Sequence, residues 1–258
     1  MTTALADKRR LVVGTLAFDQ INLAEAAHRV LELARSPECS LVVTSNVDHV
    51  VRAESDPEFA GIVRRAALVT ADGMPIVWAS HLSGCPLPAR VTGADLVPTV
   101  AALAAASGQS LFLMGGMPGE AELAAHNLRA KHPGLIIAGT YSPPFGFERD
   151  PVECRKMVSL INESRTDILC LGVGSPKQEK WLDAHRAELA CGVALGVGAT
   201  IAFIAGTLDR APPWMRGLGL EWVFRLSREP KRLFWRYAHD AVFVLIMLRC
   251  LMARWTPS

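Results

Sequence analysis

Short, fully apolar runs alternate along this chain with segments whose apolar residues recur at helical spacing. The runs predict strands at Leu11–Val13, Leu41–Val43, Leu68–Thr70, Leu111–Met114, Leu135–Ala138, Ile168–Leu171 and Val193–Val197, each leading into Gly, Ser, Asn or Asp. Strands apolar on both sides belong to a sheet covered on both faces. Helical spacing predicts helices over Asp56–Ala66, Ala94–Ala106, Pro118–Lys131, Pro151–Ser164 and Pro176–Leu189. Several carry Pro at the start, where its missing N–H costs nothing. The alternation reads as an α/β chain: a doubly wound, Rossmann-like, mostly parallel sheet flanked by helices. Its clearest βαβ block is LFLMGGMPGEAELAAHNLRAKHPGLIIAGT, and no internal repeat or low-complexity linker interrupts the pattern.

The C-terminal stretch breaks it. Between Arg225 and Arg254 stand seven Lys or Arg (Arg225, Arg228, Lys231, Arg232, Arg236, Arg249, Arg254) against Glu229 and Asp240, although the whole chain is only +2. Such local charge fits a solvated helix face, an anionic lipid surface or a phosphorylated ligand. The apolar run Ala241–Leu248, flanked by Trp235, Tyr237 and Trp255, falls far short of the roughly 20 residues that span a bilayer. It predicts a helix lying in the membrane interface, with a buried helix or an oligomer contact as the competing reading. The expected organisation is a catalytic α/β domain over 1–210 and a basic, helical, membrane-proximal appendage over 211–258. The 258 residues, half of them hydrophobic and a fifth charged, are enough for a full core. The N-terminus MTTALADKRRLVVG lacks the apolar region of a secretory signal, which predicts a cytoplasmic protein. Six cysteines without a C-x-x-C pair predict neither disulfides nor a zinc site.

In such a fold ligands bind beyond the carboxyl ends of the strands, so the residues there bear the chemistry. Thr44-Ser45-Asn46-Val47-Asp48-His49 offers small polar groups for sugar hydroxyls, or a helix N-cap. Asp72, in Thr70-Ala71-Asp72-Gly73, is either a general base or an ordinary Asp-Gly turn. Gly115-Gly116-Met117-Pro118-Gly119 admits a phosphate, but it lacks the full dinucleotide pattern and a P-loop lysine, so tight strand-to-helix packing is its better reading. Gly172-Val173-Gly174-Ser175-Pro176-Lys177-Gln178-Glu179 delivers an amide and a lysine to the same edge, or simply starts a helix. No Asp-x-Asp pair, G-x-S-x-G or H-E-x-x-H occurs, which weakens metal-bound diphosphate, hydrolase and metalloenzyme readings. Neutralising a leaving diphosphate would then fall to arginines, whose planar fork binds phosphate bidentately.

The segments TSNVDH, TADGMP, RVTGADL, YSPPFGF, GVGSPKQEKW, GVGA, AGTLDRAPPW and LEWVFRLSREPKR, spread in order over about Leu41 to Arg236, resemble the WecG/TagA/CpsF glycosyltransferases. That family transfers a sugar from a nucleotide-diphosphate donor to a polyprenyl-diphosphate-linked acceptor in bacterial surface-polysaccharide synthesis. The resemblance implies that Asp72 is the catalytic base, that Thr44 and Asn46 lie near the donor sugar, that Arg90 is a basic active-site residue and that Gln178 positions donor or acceptor. It further implies that Arg225, Arg232 and Arg236 contact the diphosphate. The expected reaction is a metal-independent, inverting transfer from a UDP-sugar, of an N-acetylmannosamine-type, uronic or hexose unit. Partners would be the donor, the lipid-linked acceptor and an anionic membrane surface on the inner face of the cell membrane, with no nucleic acid and with homo-oligomerisation left open. One position departs from the pattern: members usually carry an acid after the Gly-Val-Gly turn where this chain has Ala202. The rival readings are a nucleotide-dependent oxidoreductase or epimerase, which lacks its ribose-binding acid after Leu135–Thr140, and a non-catalytic membrane-recruited scaffold.

Overall fold

The computed structural model describes residues 10–253, with only the helical backbone described for residues 232, 233, 235, 236, 251 and 253. Six strands form one sheet: β3 (Ser40–Ser45), β4 (Leu68–Ala71), β5 (Ser110–Gly115), β6 (Ile136–Tyr141), β7 (Ile168–Gly172) and β8 (Val193–Gly196). Their order is β4-β3-β8-β7-β5-β6, and each neighbouring pair is parallel. A parallel sheet places every strand's carboxyl end at one edge, which is where the polar turns read from the sequence gather.

The pleat explains why these strands look uniformly apolar. Along β3, β4, β5, β7 and β8, residues alternate between two cores: Leu41, Val43, Val69, Leu169 and Leu171 face one side, while Val42, Leu68, Ile168, Cys170 and Leu195 face the other. Helices cover both sides. On the second lie α1 (Leu23–Leu33), α5 (Gly93–Ser107), α6 (Glu120–Lys131) and α9 (Thr200–Ala205). The first is covered by α2 (Val47–Ser55), α3 (Pro57–Arg64), α7 (Pro151–Ser164) and α8 (Lys177–His185), and α4 (Met74–Leu82) adds Ile76 and Ala79 to it. The helix starts follow their caps: Asp56 accepts from the Phe59 N–H, Thr92 from that of Asp95, and Asp150 from those of Val152 and Glu153.

The first predicted strand is placed differently. β1 (Leu11–Val13) is outside the parallel sheet and forms an antiparallel hairpin with β2 (Leu16–Phe18). The two residues between them, Gly14 and Thr15, make a turn too tight for a crossover, and Gly14 adopts the positive φ of 59° that such turns favour. Asp19, just beyond β2, donates its N–H to Val69 O and accepts the Val69 N–H on its carboxylate, so the hairpin covers the outer edge of β4.

The chain ends in α10 (Pro213–Gly217), α11 (Glu221–Arg228), α12 (Pro230–Asp240) and α13 (Val242–Ala253). Of the two readings of the apolar run, burial accounts for one face of α13. Phe243, Ile246 and Met247 join the same core as Leu11, Val13 and Leu16, and Arg249 pairs with Glu54 of α2 at 2.5 Å. The opposite face leaves Val244, Leu245 and Leu248 at 59%, 65% and 50% exposure. Trp255 and Arg254 lie outside the described residues, as does the side chain of Trp235. Among the described residues no helix is long and apolar enough to cross a membrane.

Candidate active site

The ends of β3 and β4 are tied together: the Asp72 N–H donates to Ser45 O at 2.8 Å, placing Asp72 one residue beyond its strand. The stretch before α5 runs beside it, since the Val91 N–H donates to Ala71 O and the Thr70 hydroxyl to Val91 O. Arg90 is thereby brought next to Asp72. From the C-terminal segment, α11 adds Glu221 and Arg225. The Asp72 carboxylate accepts no hydrogen bond from the described residues, and burial pushes its pKa up from 3.8 to about 6. The Glu221 carboxylate pushes the same way, while Arg90, Arg225 and His49 pull against it. A carboxyl poised near neutrality and free of partners suits proton abstraction.

The Thr44 hydroxyl and the Asn46 amide oxygen are engaged by the fold. The Thr44 hydroxyl donates to Gly196 O at 3.0 Å, stitching β3 to β8, and Asn46 caps α2 by accepting the His49 N–H at 3.3 Å. Gln178 is almost fully buried. Its Oε1 accepts the Gly198 N–H at 3.0 Å and its Nε2 donates to Glu179 at 2.6 Å, so the amide holds the turn after β8. Glu179 closes a chain of contacts across the floor of the site, with His49 Nε2 3.3 Å from its Oε1 and His49 Nδ1 2.9 Å from Asn46 Oδ1. Burial opposes ionisation of Glu179, but the hydrogen bond and charge of His49, helped by Gln178, hold its pKa below the usual value.

The Gly-rich turn after β5 packs tightly, as its sequence suggested. A Cβ on Gly115 would come within 2.3 Å of Gly172 O, and the Met117 N–H points at the chain's own Glu120 carboxylate, 2.8 Å away.

Above Asp72 lies a cluster of cations and anions. Arg90 Nη1 donates to Glu221 Oε2 at 2.8 Å. Arg210 forks onto Asp95 with bonds of 2.7 and 2.8 Å and reaches Thr92 at 3.3 Å. Arg216 and Arg90 also approach Asp95, at 3.8 and 3.9 Å. Burial works against the Asp95 charge, yet the bonds from Arg210 and Thr92 prevail and hold its pKa low. Three guanidinium Nε atoms, of Arg210, Arg216 and Arg225, are buried without a hydrogen-bond partner. Arg225 stacks its guanidinium carbon 5.9 Å over the ring of Phe203, the neighbour of Ala202 in α9. The side chains of Arg232 and Arg236, both on α12, lie outside the described residues.

Of the residues singled out from the sequence, the fold thus gathers Asp72, Arg90 and Arg225 around one point, with Thr44, Asn46 and Gln178 bracing the strand ends below. Arg210, Asp95, Glu221, His49 and Glu179 were not singled out. Each stands inside a motif already quoted, but only their mutual pairing marks them. Among the described residues no group of three or more His, Cys, Asp or Glu side chains is arranged to hold a metal ion.

Comparison with known proteins follows the same lines. The model of the "Glycosyl transferase WecG/TagA/CpsF family" matches residues 11–257. The chain is 30% identical over 192 residues to an "N-acetylglucosaminyldiphosphoundecaprenol N-acetyl-beta-D-mannosaminyltransferase" of Staphylococcus aureus (strain MW2), covering 74% of this chain and 73% of that one. The counterpart from Staphylococcus aureus (strain NCTC 8325 / PS 47) matches at the same identity and coverage.

Proposed function

Because the chain belongs to the WecG/TagA/CpsF family of glycosyl transferases, we propose that it moves an N-acetylmannosamine-type sugar from a UDP donor to an N-acetylglucosamine carried on a polyprenyl diphosphate. The protein is a glycosyltransferase; the sugar, acceptor and mechanism are the proposal. The observation that supports it best is an unpartnered carboxylate, with its pKa raised to about 6, set beside Arg90 and Arg225. Asp72 takes the proton of the acceptor hydroxyl as that oxygen attacks the anomeric carbon, and a single displacement from the opposite face inverts the configuration. The arginines meet the charge that develops on the departing diphosphate, a task that calls for no metal ion. Thr44 and Gln178 act by holding the ends of β3 and β8, Asn46 by capping α2, and Arg232 and Arg236 extend the basic side from α12.

A donor panel tests this reading. Purified protein, a polyprenyl-diphosphate N-acetylglucosamine acceptor and UDP-, GDP- and TDP-sugars are incubated with EDTA, scoring nucleotide release and lipid-product mass. Acceptor-dependent product from one UDP-sugar is expected, undiminished by the chelator. Product that disappears with EDTA would remove the metal-independent mechanism, and no product from any donor would favour the scaffold alternative.

Residues 211–258 serve in this proposal as the membrane-proximal unit, seating the enzyme on the inner, cytoplasmic face of the membrane. The exposed face of α13 supports that placement, together with the exposed Trp214 of α10, Leu218 just beyond it and Trp222 of α11. Deleting the tail would uncover the core around Phe243 and Ile246, so surface substitution is the cleaner probe. Leu245→Glu with Leu248→Glu should cut binding to anionic vesicles by about tenfold or more, given the apolar area withdrawn and the charge added. The thermal melt should not change. Undiminished vesicle binding would discard the α13 contact.

A further inference from the structure

In the cluster above Asp72 carboxylates offset most of the arginine charge without any substrate, four arginines standing against three carboxylates. Arg90, Arg210 and Arg216 are opposed by Asp95 and Glu221, while Arg225 faces the charge of Asp72 beneath. A diphosphate bringing two or more negative charges would therefore meet Arg90 and Arg210 already engaged. The two opposing carboxylates are not equivalent. Asp95 sits in the first turn of α5, accepts hydrogen bonds from Thr92 and Arg210, and is fixed by its own helix start. Glu221 sits in the first turn of α11, reaches Arg90 through one close bond, and lies 3.8 Å from Arg210 Nε, an atom left without a hydrogen-bond partner. Glu221 is the carboxylate held by fewer hydrogen bonds.

We propose that Glu221 is a built-in competitor for the substrate's diphosphate: it holds Arg90 and Arg210 until a diphosphate group takes them, and so sets the affinity and specificity of that subsite. The inference rests on the transferase reading above and goes beyond it in giving an acidic residue of the C-terminal segment a part in substrate selection. A ligand must bring more than Glu221's single carboxylate to displace it, which favours a diphosphate over a monophosphate or a lone carboxylate. The same carboxylate acts on the base. The charged groups around Asp72 are His49 of α2, Arg90, Arg210, and Arg225 and Glu221 of α11. Glu221 is the anion among them, so removing its charge lowers the Asp72 pKa in the substrate-free enzyme.

Glu221→Gln tests this in the full chain, with UDP as the donor probe and a short-chain prenyl diphosphate as the acceptor probe, each titrated calorimetrically near pH 7.5. Removing one competing charge should tighten binding of the probe that uses the subsite by about tenfold. The donor KM should fall more than kcat changes, and the acid limb of the pH–rate profile should move to lower pH. Glu221→Asp, which keeps the charge but withdraws it by one methylene, should fall between, and it serves as the reporter if Glu221→Gln melts early. A gain for UDP alone assigns the subsite to the donor; a gain for the prenyl diphosphate alone assigns it to the acceptor. Unchanged or weaker binding of both probes by a folded Glu221→Gln protein overturns the proposal and makes Glu221 an organiser of the arginines. If neither wild type nor variant binds either probe, the transferase reading itself fails and this inference falls with it.

Discussion

Asp72→Asn is expected to lose about 10³-fold or more in turnover, the upper part of what a positioned general base contributes, while still binding UDP within about threefold of wild type. The amide matches the carboxylate in size, so what is lost is the acceptor for the sugar's proton. Steady-state kinetics and a UDP titration separate the two effects. The wild-type pH profile should show the same group. With the Asp72 pKa raised to about 6 by burial and by Glu221, kcat/KM should climb through pH 6 and level off above it, and the variant should lack that limb. Stability should move the opposite way. A carboxyl whose pKa rises on folding contributes stability that is fully present below its unfolded value, near 3.8, and is lost as pH rises through about 6. Asp72→Asn should accordingly melt higher than wild type at pH 7.5, with the difference fading below pH 4. Unchanged turnover would remove Asp72 from the chemistry.

Arg225→Gln should lower kcat by about 10²-fold, the scale seen when one preorganised donor is removed from developing charge. The geometry supports a role in the site over one in the fold. Its guanidinium lies over Phe203 and its Nε is buried without a partner, so the donor is held in place with hydrogen-bonding capacity unspent. Glutamine keeps a polar side chain while removing the charge, so the melting temperature should stay close to that of wild type. A larger loss in kcat than rise in donor KM is expected, because the negative charge on the diphosphate grows as the glycosidic bond breaks. An unchanged kcat would place the leaving group elsewhere, for example against the arginines of α12.

Much of the architecture could be read from one dimension. Continuous apolar runs with polar ends described β3 to β8, because a strand buried on both faces has no polar side to show. Helices such as Pro151–Ser164 were visible in their apolar spacing and starting prolines. β1 was misread as part of the parallel sheet because three apolar residues look alike in a hairpin and in a central strand; Gly14 and Thr15 were the only local hint of the reversal. The apolar run Ala241–Leu248 was ambiguous for a related reason. Its composition suits an interface, yet Phe243, Ile246 and Met247, at spacings of three and four, turn one side into the core.

The site divides in the same way. The candidate base Asp72, the basic helices and the family were legible in residue order, since motifs such as TADGMP and LEWVFRLSREPKR are local chemistry written contiguously. Tertiary structure decided which charges face one another. Arg90 meets Glu221 across 131 positions and Arg210 meets Asp95 across 115, separations at which no periodicity carries information. It also decided that the Thr44 hydroxyl bonds to Gly196, that Asn46 caps α2 and that Gln178 accepts the Gly198 N–H, because a side chain's hydrogen bonds depend on what folding brings beside it. Local pattern determines which residues can do chemistry; three-dimensional proximity and burial, which set the strength of every charge interaction, determine which of them are paired, which are poised and which are held in reserve.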